Sequence, residues 1–159
     1  GPRAQAQETN DTPEDGNTPS AQAQDRGMRN MIERLKPEGA PEPRGPYSPA
    51  VRAGDFIYVS GQGPINTATD KMELGTIEHE TRLVLENVKR ILEGAGASMF
   101  DVVKCNVYLA NSDDFQAMNN IYAEYFGEAK PTRTTVVTKF VGAPEMKVEI
   151  DAIAHSPKP

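Results

Sequence analysis

The sequence predicts an α+β domain in which a mixed β-sheet carries two helices on one face. Three observations lead there: the hydrophobic pattern reads in the order ββαβαββ, both helical stretches are amphipathic, and 159 residues suffice for one hydrophobic core but not comfortably for two. Hydrophobic residues are 37% of the chain and its mean hydropathy is −0.58. Both are low for a compact domain, so a polar segment must dilute an ordinary globular part.

That segment is the N-terminus. Residues 1 to 27, "GPRAQAQETNDTPEDGNTPSAQAQDRG", contain no Val, Ile, Leu, Phe or Tyr, and such a stretch cannot bury enough apolar surface to offset its ordering entropy. It reads as a disordered tail or linker ahead of a domain over 28–159. Gly1-Pro2 has the form of a protease scar. A signal peptide lost ahead of Arg3, which would take the protein outside the cytoplasm, and a natural polar extension are equally open readings.

The elements follow in order. Four prolines break the lead-in before Tyr47, and the Gly45-Pro46-Tyr47 turn delivers the chain to a first strand near Ser48 to Arg52. A turn at Ala53-Gly54-Asp55 leads to a second, Phe56 to Ser60, making a hairpin, and Gly61 to Pro64 reads as a bend. Ile77, Thr81, Val84, Leu85, Val88, Ile91 and Leu92 recur at helical spacing, predicting a helix from Thr76 to Glu93 with Thr76 as N-cap, Glu78 and Glu80 at the positive dipole end, and Gly94 as the stop. Asp101 to Ala110 alternates as a strand that buries Val103, Cys105, Val107 and Leu109. A second helix, Ser112 to Phe126, opens on Asn111 and Ser112 and carries Phe115, Met118, Tyr122, Tyr125 and Phe126 as a core face. Strands Thr132 to Phe140 and Met146 to Ala154, joined through Gly142-Ala143-Pro144, complete the set. With both helices on one face, Val51, Val136, Thr138 and Ile153 are left on a sheet surface that needs a cover, which predicts a homo-oligomer.

Composition narrows the function. A net charge of −6 announces no basic patch, so nucleic acid is a poor partner. One cysteine, Cys105, and two histidines, His79 and His155, leave no disulfide framework and little for a metal site. No apolar run approaches the roughly 20 residues of a membrane span. There is no Gly-x-Ser-x-Gly elbow, P-loop, dinucleotide fingerprint, His-Glu-x-x-His or Cys-x-x-Cys. "SGQGP" follows a strand and does not open a helix, which argues against a phosphate loop.

Three polar residues stand where a purely structural reading is strained. Arg133 lies near the start of a strand, Glu149 lies within the apolar "MKVEIDAIA", and Ser60 ends a strand against glycine. Were the last two strands to pair, Arg133 and Glu149 could meet at a common edge cleft, with Thr135 on the Arg133 face. An arginine fork suits a small carboxylate bidentately. A salt bridge for Arg133 and a solvated strand face for Glu149 remain the plain alternatives.

The segments "GPYSPAV", "IYVSGQGPIN", "TRLVLENVKRILEGAGAS", "DVVKCNVYLANSDDFQAMNNIYAEYF", "KPTRTTV" and "KVEIDAIA", in order across Met31 to Ala154, together resemble the RidA/YjgF family of reactive-intermediate (enamine/imine) deaminases. The resemblance implies a chorismate-mutase-like (YjgF-like) α+β fold and a homotrimer with ligand clefts between neighbouring subunits. It further implies that Arg133 binds a substrate carboxylate, Tyr47 is the cleft tyrosine, Ser60 and Gly61 form the cleft wall, Asn119 is the family's helix asparagine, and Glu149 is the acidic residue near a reacting water. Thr135 stands where many members have a cysteine. The reaction implied is hydrolysis of 2-imino acids, such as 2-iminopropanoate or 2-iminobutanoate formed from enamine tautomers, to 2-oxo acids and ammonia, with no metal or cofactor and a cytoplasmic setting. A trimer that binds or senses small carboxylates without chemistry is the alternative. The endoribonuclease or translation-inhibitor activity attributed to some relatives fits poorly with the net charge.

Overall fold

The computed structural model describes residues 20–24 and 31–159. Residues 21–24 form one helical turn, in which Ser20 Oγ accepts from the Ala23 amide at 3.2 Å. The rest of the expected tail over 1–27 lies outside the described residues, as do residues 28–30 at the start of the expected domain.

Within Met31–Pro159 the strands are β1 (Ile32–Leu35), β2 (Ala50–Ala53), β3 (Phe56–Gln62), β4 (Ile65–Asn66), β5 (Lys71–Met72), β6 (Val102–Leu109), β7 (Thr132–Val137) and β8 (Val148–His155). The helices are α1 (Ile77–Gly94) and α2 (Phe115–Phe126). One six-stranded sheet runs β1-β2-β3-β8-β6-β7, and β4 and β5 form a small separate ribbon. Every neighbouring pair is antiparallel except β6 and β7, which are parallel because α2 carries the chain back between them. This is the predicted mixed sheet, with both helices packed against one face.

The core forms where the two periodicities meet. Val84, Leu85, Val88, Ile91 and Leu92 of α1 and Met118, Ile121, Tyr122 and Phe126 of α2 are buried against Ile57, Cys105, Val107, Leu109, Val148, Ile150 and Ala152 of the sheet. Each fully buried large aliphatic side chain contributes roughly 1.5–3 kcal/mol. The Thr76 hydroxyl caps α1 by accepting from the His79 amide at 3.2 Å, as the sequence suggests. Gly94 has a different role from the expected stop: it is the last residue of the helix, and a Cβ there would lie 2.5 Å from Pro37 Cβ, so glycine lets the lead-in pack on the helix end.

Two buried ionic side chains fasten the elements. Glu80 is 0% exposed and accepts from the Lys147 amide at 2.9 Å, from Lys147 Nζ at 3.2 Å and from the Gly75 amide at 3.2 Å, joining the start of α1 to the entry of β8. Arg52 donates to the carbonyls of Ser156, Gly54 and Ala95, tying the β2–β3 hairpin to the end of β8 and the C-terminus of α1.

The structure corrects several expectations. β1 and the β4–β5 ribbon were not foreseen: the prolines that follow β1 from Pro37 on mask a four-residue edge strand, and a two-residue strand is too short to show a period. β3 continues through the expected bend to Gln62. In β6 the register against β8 shifts between Val102 and Lys104, so Val102 takes the buried place and Val103 turns outward at 42% exposure. Phe115 is exposed, because it opens α2 at the sheet edge, and Tyr125 is only partly buried. β7 stops at Val137, three residues early.

Pairing differs most. β7 joins β6, and β8 lies between β3 and β6, so the last two strands do not pair and Arg133 and Glu149 share no edge within one chain.

Candidate active site

The register decides which face each candidate occupies. β7 runs beside β6 with Cys105 opposite Arg133, Val107 opposite Thr135 and Leu109 opposite Val137. Partners opposite each other share a face, and Cys105, Val107 and Leu109 are buried under the helices. Arg133 and Thr135 therefore belong to the helix side, at the sheet edge. On β8, Val148, Ile150 and Ala152 are buried on that side, so Glu149 and Asp151 point to the other.

The helix-side group is built on an aromatic bed. Arg133 Cζ stands 4.8 Å from the Tyr122 ring centroid and 5.6 Å from that of Phe115. Such contacts contribute about 0.5–2 kcal/mol and use the guanidinium's face, leaving its N–H donors free. Arg133 makes no salt bridge with any described residue. Asn119 lies between Phe115 and Tyr122 on the same side of α2. Among the described residues its buried Oδ1 has no hydrogen-bond partner and the buried Tyr122 hydroxyl has only the weak Cys105 thiol beside it, a state native proteins seldom leave unexplained. Thr135 is half-buried and lines a hollow of ≈ 300 Å³ with Leu109, Ser112 and Phe115. Beneath Arg133, burial pushes the Cys105 thiol up to about 11, which makes it a packing residue and not a nucleophile.

The second group lies on the open face. Tyr47, Ser60, Gly61, Tyr108, Glu149 and Asp151 line a cleft of ≈ 340 Å³. A bulge in β3, where pairing with β8 jumps from Val59–Ala152 to Gln62–Ile150, brings Ser60 and Gly61 to its wall. The Ser60 hydroxyl donates to the Ser48 carbonyl at 2.7 Å, and the exposed Tyr47 hydroxyl accepts from the Arg44 amide at 3.1 Å. Gly61 is required by close approach: a Cβ there would lie 2.9 Å from Glu149 Cδ and 3.1 Å from each carboxyl oxygen.

Glu149 is half-buried. Burial, and then the neighbouring Asp151 charge, push its carboxyl above the usual range, which suits a group that accepts and returns a proton. Tyr108 pairs directly across from Glu149, and burial together with the Asp151 and Glu149 charges raises its hydroxyl, keeping it a neutral donor.

The structure thus gathers Tyr47, Ser60, Gly61 and Glu149 in one cleft and places Arg133, Asn119 and Thr135 in another region of the same chain. Sequence reasoning missed Tyr108, Asp151, Phe115 and Tyr122. The i, i+2 spacing of Glu149 and Asp151 was a usable signal. The other three depend on register and helix docking, which no local pattern encodes.

Comparison with known proteins agrees across this region. The family model described as Endoribonuclease L-PSP matches residues 37–156. The chain is 48% identical over 125 residues to a RutC family protein of Pyrococcus horikoshii, covering 79% of this chain and 98% of that one. It is 41% identical to the 3-aminoacrylate deaminase RutC of Acinetobacter baylyi, covering 76% and 95%, and 41% identical to a 2-iminobutanoate/2-iminopropanoate deaminase of Dermatophagoides farinae, covering 72% and 88%. Among solved structures, Escherichia coli TdcF with bound serine superimposes with a TM-score of 0.71 at 33% identity, covering 77% of this chain and 98% of that one.

Proposed function

The chain belongs to the Endoribonuclease L-PSP family, the RidA/YjgF proteins, and on that footing we propose that it hydrolyses small reactive 2-imino acids to 2-oxo acids and ammonia. The observation that carries this reading is the state of Arg133: a half-buried guanidinium stacked on aromatic rings, paired with no carboxylate among the described residues. A planar ligand carboxylate is its natural complement. Relatives named as 3-aminoacrylate and 2-iminobutanoate/2-iminopropanoate deaminases support the reaction class.

The two groups of residues are complementary halves. Arg133, Asn119 and Thr135 offer an anchor without a base; Glu149, Tyr47, Ser60 and Gly61 offer a base without an anchor. We take a homotrimer to join them, each cleft using the edge of one subunit and the open face of its neighbour. The apolar open face supports this, since Tyr58, Val103 and Val136 are exposed there, beyond what a free sheet surface carries without a partner.

The chemistry then needs little of the protein. Arg133 holds the carboxylate and fixes C2 against the cleft wall. Glu149 takes a proton from water as its oxygen adds to C2, the C=N electron pair moves to nitrogen, and Glu149 returns the proton there to give a carbinolamine. Glu149 next takes the hydroxyl proton and delivers it to the amine; the C–N bond breaks, the carbonyl forms and ammonia leaves. Tyr47 and Tyr108 are placed to hydrogen-bond the nitrogen or the water. No step calls on a metal or cofactor.

The test is to generate the imine with an amino-acid oxidase and follow release of the 2-oxo acid. The expected result is an acceleration proportional to added protein; binding of 2-oxo acids with no rate effect would instead establish a carboxylate-binding module. Gly61→Ala offers a finer check. The new methyl displaces the flexible end of Glu149 and leaves the backbone in place, so kcat should fall by about tenfold or more at an unchanged melting temperature; an unchanged kcat would separate Gly61 from the placement of Glu149.

A further inference from the structure

Asp151 shares the open-face cleft with Glu149 but has a different attachment. It stands two residues along β8 on the same face, directly across from Asn106 of β6. The Asn106 amide donates to Asp151 Oδ1 at 3.0 Å, and its side-chain Nδ2 donates to Oδ2 at 3.4 Å. Both oxygens are thereby held from one side, and the carboxylate cannot swing toward a ligand without breaking a backbone hydrogen bond. Glu149 accepts no hydrogen bond from any described residue, so of two carboxyl groups in one cleft one is held by Asn106 and the other is free to act.

We propose that Asp151 is a positioning residue for the imine hydrolysis, its carboxylate clamped by Asn106 so that its charge strengthens Glu149 as the base. This rests on the deaminase reading above. Facing Glu149 are Tyr47 from the lead-in, Tyr108 from β6, Asp151 on β8 itself, and Lys139 from the segment after β7 across an adjoining hollow. Asp151 is the one negative charge of the set. Burial raises the Glu149 carboxyl first and the Asp151 charge adds to it, so the two act in the same direction.

The sign of the consequence is definite. Glu149 must be ionised to take the proton from water, so kcat/KM rises as pH rises through its titration. Removing the Asp151 charge lowers the proton affinity of Glu149, which moves that rising limb to lower pH, and it weakens the base, which lowers the plateau by a few-fold.

The experiment measures the pH profile of imine hydrolysis, and the Glu149 carboxyl titration by carbon-13 NMR, in the wild type, Asp151→Asn and Asp151→Glu. Asparagine keeps an acceptor for the Asn106 amide and removes the charge, its new amide replacing the oxygen that accepts from Asn106 Nδ2 and pairing there once the Asn106 side chain flips; glutamate keeps the charge and reports any loss of fit. The expected result is that in Asp151→Asn both the kinetic limb and the titration move to lower pH, with Asp151→Glu close to the wild type. A titration and limb that stay in place in Asp151→Asn would reduce Asp151 to a strand-pairing residue. A wild type with no rate above the uncatalysed reaction would overturn the deaminase reading itself, an outcome the NMR titration keeps distinct.

Discussion

Arg133→Ala is expected to lower kcat/KM for imine hydrolysis by about two to three orders of magnitude while leaving the fold intact. The magnitude follows from what is removed: a charge-assisted bidentate pair with the substrate carboxylate, contributing about 3–4 kcal/mol when desolvated in a cleft. The fold survives because Arg133 stands on the edge strand β7, and its contacts to Tyr122 and Phe115 contribute about 1 kcal/mol. Arg133→Lys restores the charge but not the planar fork or its stacking, so recovery should be partial and concentrated in KM. A kcat/KM within threefold of the wild type in the alanine variant would remove the anchor from the account.

Glu149→Gln should show the opposite kinetic pattern. Glutamine fills the same space beside Gly61 and cannot accept a proton, so kcat falls by about two to four orders of magnitude while affinity for a 2-oxo acid changes little. The rising pH limb should vanish with it, since the half-buried Glu149 is the group whose ionisation that limb reports. A Glu149→Gln enzyme that keeps both its rate and its limb would show that the residue only lines the wall. The two variants thus divide binding from proton transfer.

Much of this was legible in the sequence, and where it was not the reason is physical. α1 and the buried side of β6 from Cys105 to Leu109 could be read directly, since helical and alternating periods leave local marks. β1 could not, because prolines and a length of four residues hide its period. The pairing of β7 with β6 could not either: strand order is fixed by where α2 returns the chain, and both orders satisfy the same alternation. The pairing has a functional consequence. A β7–β8 pair would have let Arg133 and Glu149 meet at one edge of one chain, whereas the observed register sends them to opposite faces. The residues carried by resemblance fall into two coherent groups, Arg133 with Asn119 and Thr135, and Glu149 with Tyr47, Ser60 and Gly61. Thr135 brings a hydroxyl to the edge of a hollow lined mainly by apolar side chains.

The central claim is that each cleft takes its anchor from one subunit and its base from another, and subunit mixing tests it most directly. Arg133→Ala and Glu149→Gln proteins, each inactive alone, are unfolded together, refolded as mixed oligomers and assayed for imine hydrolysis. If the cleft is shared, random 1:1 assembly leaves roughly a quarter of the clefts with both residues intact, and activity returns to about that fraction of the wild type. If verified mixed oligomers stay as inactive as either variant alone, the anchor and the base do not meet across subunits, and the account of the site is contradicted.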